Sequence, residues 1–234
     1  MKKSLPFLFT FFIFFSTNVY ANISLNKVIL NFLPGGPNVD DISVTNISDM
    51  TLKINTQVIK IVNPKDEFKR VKLKNPLTAG IIASPKSLIL EPKQTGKVRV
   101  VVMKPAISED NIYYISVIPK IHQTKEEKQT KNIERNMAIK ILVGYEALVI
   151  VRPTIVNNSV TISRNGNQLK FENNGKTNVL IHRINQCDAQ GKNCRNLVSN
   201  RLYSKEKWTL NLPYAEGKVK FFQSLGYKHI EKEY

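Results

Sequence analysis

Two cysteines, one tryptophan and three histidines are all that this 234-residue chain holds of the residue types most used for chemistry. His122, His182 and His229 lie far apart and stand in no nucleophile motif or metal-ligand spacing, so surface positions are expected for all three. A catalytic group, a metal and a cofactor are therefore not expected, and Trp208 reads as a core residue. No window carries an apolar stripe at the helical period, which excludes a helix bundle. Beyond the first two dozen residues no run is apolar enough to span a bilayer, which excludes stable membrane insertion. Acidic residues are few, 18 against 35 basic, giving a formal charge of +17. The lysines are spread over strands and turns, and that pattern reads as a solvated surface.

What is present begins at the N-terminus. Met1-Lys2-Lys3 leads into an apolar stretch from Leu5 to Phe15, broken only by Pro6 and Thr10, and then into Val19-Tyr20-Ala21. This is the pattern of a signal peptide over residues 1–21, cleaved after Ala21. Export removes nucleic acid from the expected partners. It also places Cys187 and Cys194, with six residues between them, in an oxidising space where a disulfide is expected. A zinc site recruiting His182 would lack a fourth ligand.

Period-two alternation and β-branched residues then recur to the end, so the chain reads as all-β. Strands are expected at Ile23–Phe32, Val39–Asn46, Leu52–Val62, Ser87–Leu90, Lys97–Met103, Ile112–Ile118 and Met137–Val151. Proline and glycine turns separate them, and seven strands of this kind fit an immunoglobulin-like sandwich over residues 22–152. Arg152-Pro153 interrupts the pattern, because proline cannot donate to a ladder and restricts the residue before it. A second β-sandwich domain is expected over 153–234. It opens with Val160–Arg164 and Gln168–Asn173 around Asn165-Gly166, a strong hairpin signal, and continues with Val179–Ile184, Trp208–Leu212 and Lys218–Leu225.

The most informative segment is 125–151. A charged run, Lys125-Glu126-Glu127-Lys128-Gln129-Thr130-Lys131, leads into a strand whose odd positions from Met137 to Val151 are all apolar or aromatic. Fifteen residues at about 3.3 Å each make a strand of roughly 50 Å, far beyond the usual five or six residues. A single sandwich can bury only part of it. The portion near Met137 to Val143 is then left as an apolar edge, which is a hazard unless a partner strand covers it.

Four segments carry a family resemblance. They are Ser84-Pro85-Lys86-Ser87-Leu88-Ile89-Leu90-Glu91-Pro92 with Val98-Arg99-Val100, Tyr113 to Pro119, Tyr145 to Pro153, and Ile162 to Asn165 with Glu172 to Gly175 and the cysteine loop. Their order and spacing resemble the periplasmic chaperones of chaperone-usher pilus systems. They are most similar to the alternate class that serves colonisation-factor and common pili. The resemblance implies two immunoglobulin-like domains at an angle, a periplasmic location, pilus subunits as protein partners and delivery to an outer-membrane usher. It implies that Ile139, Ile141 and Val143, extended by Met137 and Tyr145, complete the subunit's unfinished sandwich. It also implies a basic clamp for the subunit's terminal carboxylate, but the matching positions here are Ile29 and Leu148. Lys27 and Lys140 are the nearest substitutes, and Arg152 stands as a carboxylate anchor or an interdomain bridge. The competing expectation is an exported structural pilus component or adhesin.

Overall fold

A computed structural model of the chain describes residues 22–62, 69–73, 75–103, 107–122, 141–226 and 228–234. The expected leader and the charged run 125–131 lie outside these. Two sandwiches are present, and no sheet mixes strands from both. Every strand up to Val151 belongs to the first pair of sheets, and every strand from Val160 to the second pair.

In the first sandwich, β1 (Ile23–Leu25), β3 (Val39–Asn46), β8 (Thr95–Val102) and β6 (Ile81–Ser84) form one sheet in the order β1-β3-β8-β6. The other runs β2 (Ile29–Phe32), β10 (Tyr145–Val151), β9 (Asn111–Ile121), β4 (Leu52–Val62) and β5 (Lys69–Lys72), with β7 (Ser87–Leu90) also on β4. Alternation decides the faces. Val98, Val100 and Val102 of β8 point inward while Lys97 and Arg99 are exposed, and Leu52, Ile54, Ile115, Val117, Ala147 and Val149 close the core from the opposite sheet. Each such fully buried Val, Ile or Leu contributes about 1.5–3 kcal/mol.

The single strand expected at Ile23–Phe32 is two strands in different sheets. Asn26 donates its N–H to Ser43 O and accepts the Ser43 N–H on its Oδ1. Its side chain thereby takes the place of the next ladder bond, and the chain crosses to the second sheet.

In the second sandwich, β11 (Val160–Asn165), β12 (Gln168–Asn173) and β16 (Lys207–Asn211) face a sheet of β14 (Cys194–Leu197), β13 (Val179–Cys187), β17 (Val219–Leu225) and β18 (Lys228–Glu233), with β15 (Asn200–Leu202) also on β13. The β11–β12 hairpin turns at Gly166, which takes φ +54. Phe171 lies at the centre, stacked on Trp208 at 5.3 Å and edge-on to Phe221 at 5.4 Å. Cys187 and Cys194 are facing residues of β13 and β14 and are joined by a disulfide. The Arg164 guanidinium donates to the carbonyls of Gly166, Tyr214, Ala215 and Gly217, pinning the loop before β17.

Candidate functional site

The site is built around the start of β10. Its register with β9 runs from Tyr145 opposite Val117 to Val151 opposite Asn111, whereas β2 pairs with it in parallel only from Leu148 to Val151. Leu148 N–H donates to Val28 O and Arg152 N–H to Phe32 O, so residues of that parity turn their backbone groups toward β2. Glu146 shares the parity but lies upstream of where β2 begins. Among the described residues no strand pairs with that stretch of edge.

Of the expected strand over Met137–Val151, the described part begins at Ile141. Met137, Ile139 and Lys140 lie outside the described residues, and Ile141 to Gly144 belong to no ladder. Among the described residues of this span, strand runs from Tyr145 to Val151. The odd-numbered row is also split. Tyr145 packs against the first core and Ala147, Val149 and Val151 are inside it, while Ile141 is 74% and Val143 37% exposed. Leu142 takes the inward place between them. The phase change falls at Gly144, where a Cβ would lie 3.2 Å from Val117 O, so the chain runs close against the backbone of β9. Val28, Ile29 and Ile118 add exposed apolar surface beside the same edge.

Facing outward from this sheet, Ile59, Ile61, Ile112 and Ile150 form a buried cluster with Tyr203 of the second sandwich, and Tyr114 and Leu148 pack against it. Burial, with Tyr114 close by, pushes the Tyr203 hydroxyl up to about 12. Arg70 lies over the Tyr114 ring at 5.4 Å and pairs with Glu146, crossing the sheet from its far edge.

Arg152 follows β10 directly, with a side chain only 1% exposed. Its Nη1 donates to Asp110 Oδ2 at 3.3 Å and to Asn178 O at 3.2 Å. Asp110 Oδ2 also accepts the Asn178 backbone N–H at 2.6 Å and the Asn178 side-chain amide, whose Oδ1 accepts from Arg201 Nη1 at 2.6 Å. One carboxylate and one guanidinium of the first sandwich thus hold a loop of the second. Burial pushes the Asp110 carboxyl up and the Arg152 and Arg201 guanidiniums down, outweighing the mutual attraction. Lys27 is engaged elsewhere, with Asp40 at 2.6 Å. Ile29 and Leu148, the positions where basic residues are missing, are direct register partners.

None of the three histidines is buried, and His229 is exposed, but the fold brings two of them together. His182 Nε2 lies 2.6 Å from Ser224 Oγ, which also bonds His229 Nδ1, so three strands of one sheet are tied through a single hydroxyl. Only the pairing of β13, β17 and β18 brings them together, and β18 carries no alternation by which sequence could find it.

No model of a known protein family matches the chain, and no curated protein sequence does. Solved structures do. The chain is similar to one chain of a chaperone–tip adhesin complex of CFA/I fimbriae biogenesis, at 20% identity and TM-score 0.58 over 91% of this chain and 98% of that one. It is similar to the class 5 fimbriae chaperone CfaA at 16% identity and TM-score 0.59 over 91% and 98%. It is also similar to a chain of the Salmonella enterica SafA pilin–SafB chaperone complex at 15% identity and TM-score 0.60 over 93% and 97%. At these identities the likeness establishes a shared fold: this chain has the two-sandwich, immunoglobulin-like architecture of those structures along nearly its whole described length.

Proposed function

We propose that the protein is a periplasmic chaperone that binds, folds and caps pilus subunits by strand addition at β10 and passes them to an outer-membrane usher. The observation that carries the reading is the edge at Glu146, unpaired among the described residues and continued upstream by the exposed side chains of Ile141 and Val143. A polypeptide with an unfinished sandwich supplies backbone partners for that edge, and the apolar side chains fill its groove. In the sequence, Met137 and Ile139 continue the same alternation. Tyr145, packed on its own core, marks where the donated segment ends and the chaperone's own sheet begins. The working division is 22–152 for the strand-donating domain and 153–234 for the second. Arg152 serves as the bridge between them, supported by its bonds to Asp110 and Asn178. The shared fold with fimbrial chaperones is consistent with this assignment.

The test is capture. Ile141→Asp and Val143→Asp place charge at exposed positions of the free chain, so folding stays intact. A carboxylate carried into an apolar groove costs several kcal/mol, enough to weaken capture at least a hundredfold. Co-purification from periplasm, with mass spectrometry of what is bound, reads the result. Soluble one-to-one complexes formed at undiminished levels by both variants would rule out the mechanism, and incorporation of the protein into a polymer would identify a structural component instead.

A further inference from the structure

Ser224 is the meeting point of two imidazoles. It sits in β17, between β13 and β18, and is 4% exposed. His182 Nε2 reaches its Oγ from β13 at 2.6 Å, and His229 Nδ1 reaches the same atom from β18. The two ring nitrogens therefore converge on one point and are no farther apart than two hydrogen bonds laid end to end. Their rings stand 5.7 Å apart, inclined at 68°. Two strands with a third between them are about 9.5 Å apart, so the small side chain in the middle is what lets the rings meet above it.

This geometry suits a metal ion. A Zn–N bond is about 2.0–2.1 Å, so a modest closure of His182 from 2.6 Å, with Ser224 rotated aside, puts both nitrogens on one ion. A hydroxyl carries a single proton and donates to one ring only, whereas an ion accepts a lone pair from each. The point is open to solvent, since His229 is exposed and His182 half-buried. Phe222 lies 5.8 Å from the His182 ring and occupies the Arg183 guanidinium on its own ring. Glu231, two residues along β18 from His229, brings a carboxylate to the same face. Among the described residues no set of three histidines, cysteines or carboxylates is ready-made for a metal, and the two cysteines are joined to each other. Two imidazoles are thus the fixed part, with water in the remaining positions. Such donors favour copper, nickel and zinc over magnesium and calcium, which prefer oxygen.

We propose that His182 Nε2 and His229 Nδ1 form a binding site for one divalent transition-metal ion, Cu²⁺ most tightly, which takes the place of the Ser224 hydroxyl between them. The ion clasps β18, exposed at five of its six positions, to β13 across β17. The site involves neither β10 nor a subunit, so it stands or falls independently of the chaperone reading.

The experiment uses the purified, untagged chain, stripped with a chelator and titrated with CuCl2, ZnCl2 and MgCl2 by calorimetry and imidazole NMR. One ion per chain is expected, with Cu²⁺ bound more tightly than Zn²⁺ and no response to Mg²⁺. Small amounts of Cu²⁺ broaden the ring resonances of His182 and His229 and leave those of His122 sharp. His182→Gln and His229→Gln each weaken binding at least tenfold, while His122→Gln leaves it unchanged. Ser224→Ala removes the hydroxyl and keeps both imidazoles, so it binds at least as tightly as wild type, although the hydrogen-bonded bridge is gone. Failure of Cu²⁺ to saturate the chain, equal broadening of all three histidines, undiminished binding in either glutamine variant at position 182 or 229, or loss of binding in Ser224→Ala overturns the proposal.

Discussion

Replacing Arg152 by Met removes one member of a pair whose side chains are 1% and 6% exposed. The length and apolar volume of the side chain are largely kept, so the perturbation is electrostatic. At an effective dielectric of 20, charges 3.3 Å apart attract by about 5 kcal/mol. The Asp110 carboxylate left behind keeps its two Asn178 donors and loses its nearby cation, and an uncompensated buried charge of this kind costs about 3–5 kcal/mol. For a chain of this size that corresponds to a fall in Tm of roughly 6–20 °C. The native pair is itself poorly satisfied, since Asp110 Oδ1 and two Arg152 nitrogens have no partner among the described residues. The double replacement Arg152→Met with Asp110→Leu is therefore expected near wild-type stability, a coupling of several kcal/mol. Because Asp110 already sits above the ordinary carboxylate range, its folded form binds protons more readily than its unfolded form. Losing Arg152 raises Asp110 further, so the single variant's deficit grows as pH rises through the native Asp110 value, above the ordinary carboxylate range. Calorimetric melts of wild type, both single variants and the double at pH 5 and pH 8 measure all of this. A loss under about 1 kcal/mol for Arg152→Met, or a double variant as weak as the sum of the singles, refutes the argument.

Two other perturbations have defined outcomes. His182 is held below its usual value by burial first and then by His229, Arg183 and Arg201, while Glu231 stands opposite Phe222 on the neighbouring strand. A depressed histidine adds stability above about pH 6.5 that is lost as pH falls through its lowered value, so Tm should drop between pH 7 and pH 5 and His182→Gln should flatten that drop; parallel profiles would count against it. Gly217→Ala would set a Cβ 2.2 Å from Cys187 O at φ +95, where neither backbone can yield cheaply. A loss of at least about 2 kcal/mol in denaturant unfolding is expected, and a neutral result would show that the loop relocates.

Strands with one buried face were legible because alternation is a direct imprint of burial. β4 and β12 match their expected spans, Leu52–Val62 and Gln168–Asn173. β5, exposed at all four positions, and β18, exposed at five of six, carry no such imprint, since their residues answer to pairing rather than to a core. The same logic explains the site. The periodicity that marks Tyr145 to Val151 continues upstream into Ile141 and Val143, but side-chain pattern alone does not tell which ladder a residue joins. Gly144 breaks the phase through a close backbone approach that no hydropathy pattern reports. The Arg152–Asp110 pair spans 42 positions and meets a loop of the other sandwich, so sequence offered the arginine and its alternatives but not its partners.

The short parallel partner of β10 has a consequence of its own. Since Val28 already accepts the Leu148 amide, any ribbon laid along the vacant rim must stop there, whichever direction it runs. The first sandwich thus carries a built-in end-stop, and on the proposed function a visitor's alignment would be set by where its terminus meets Val28 as much as by which of its side chains fit.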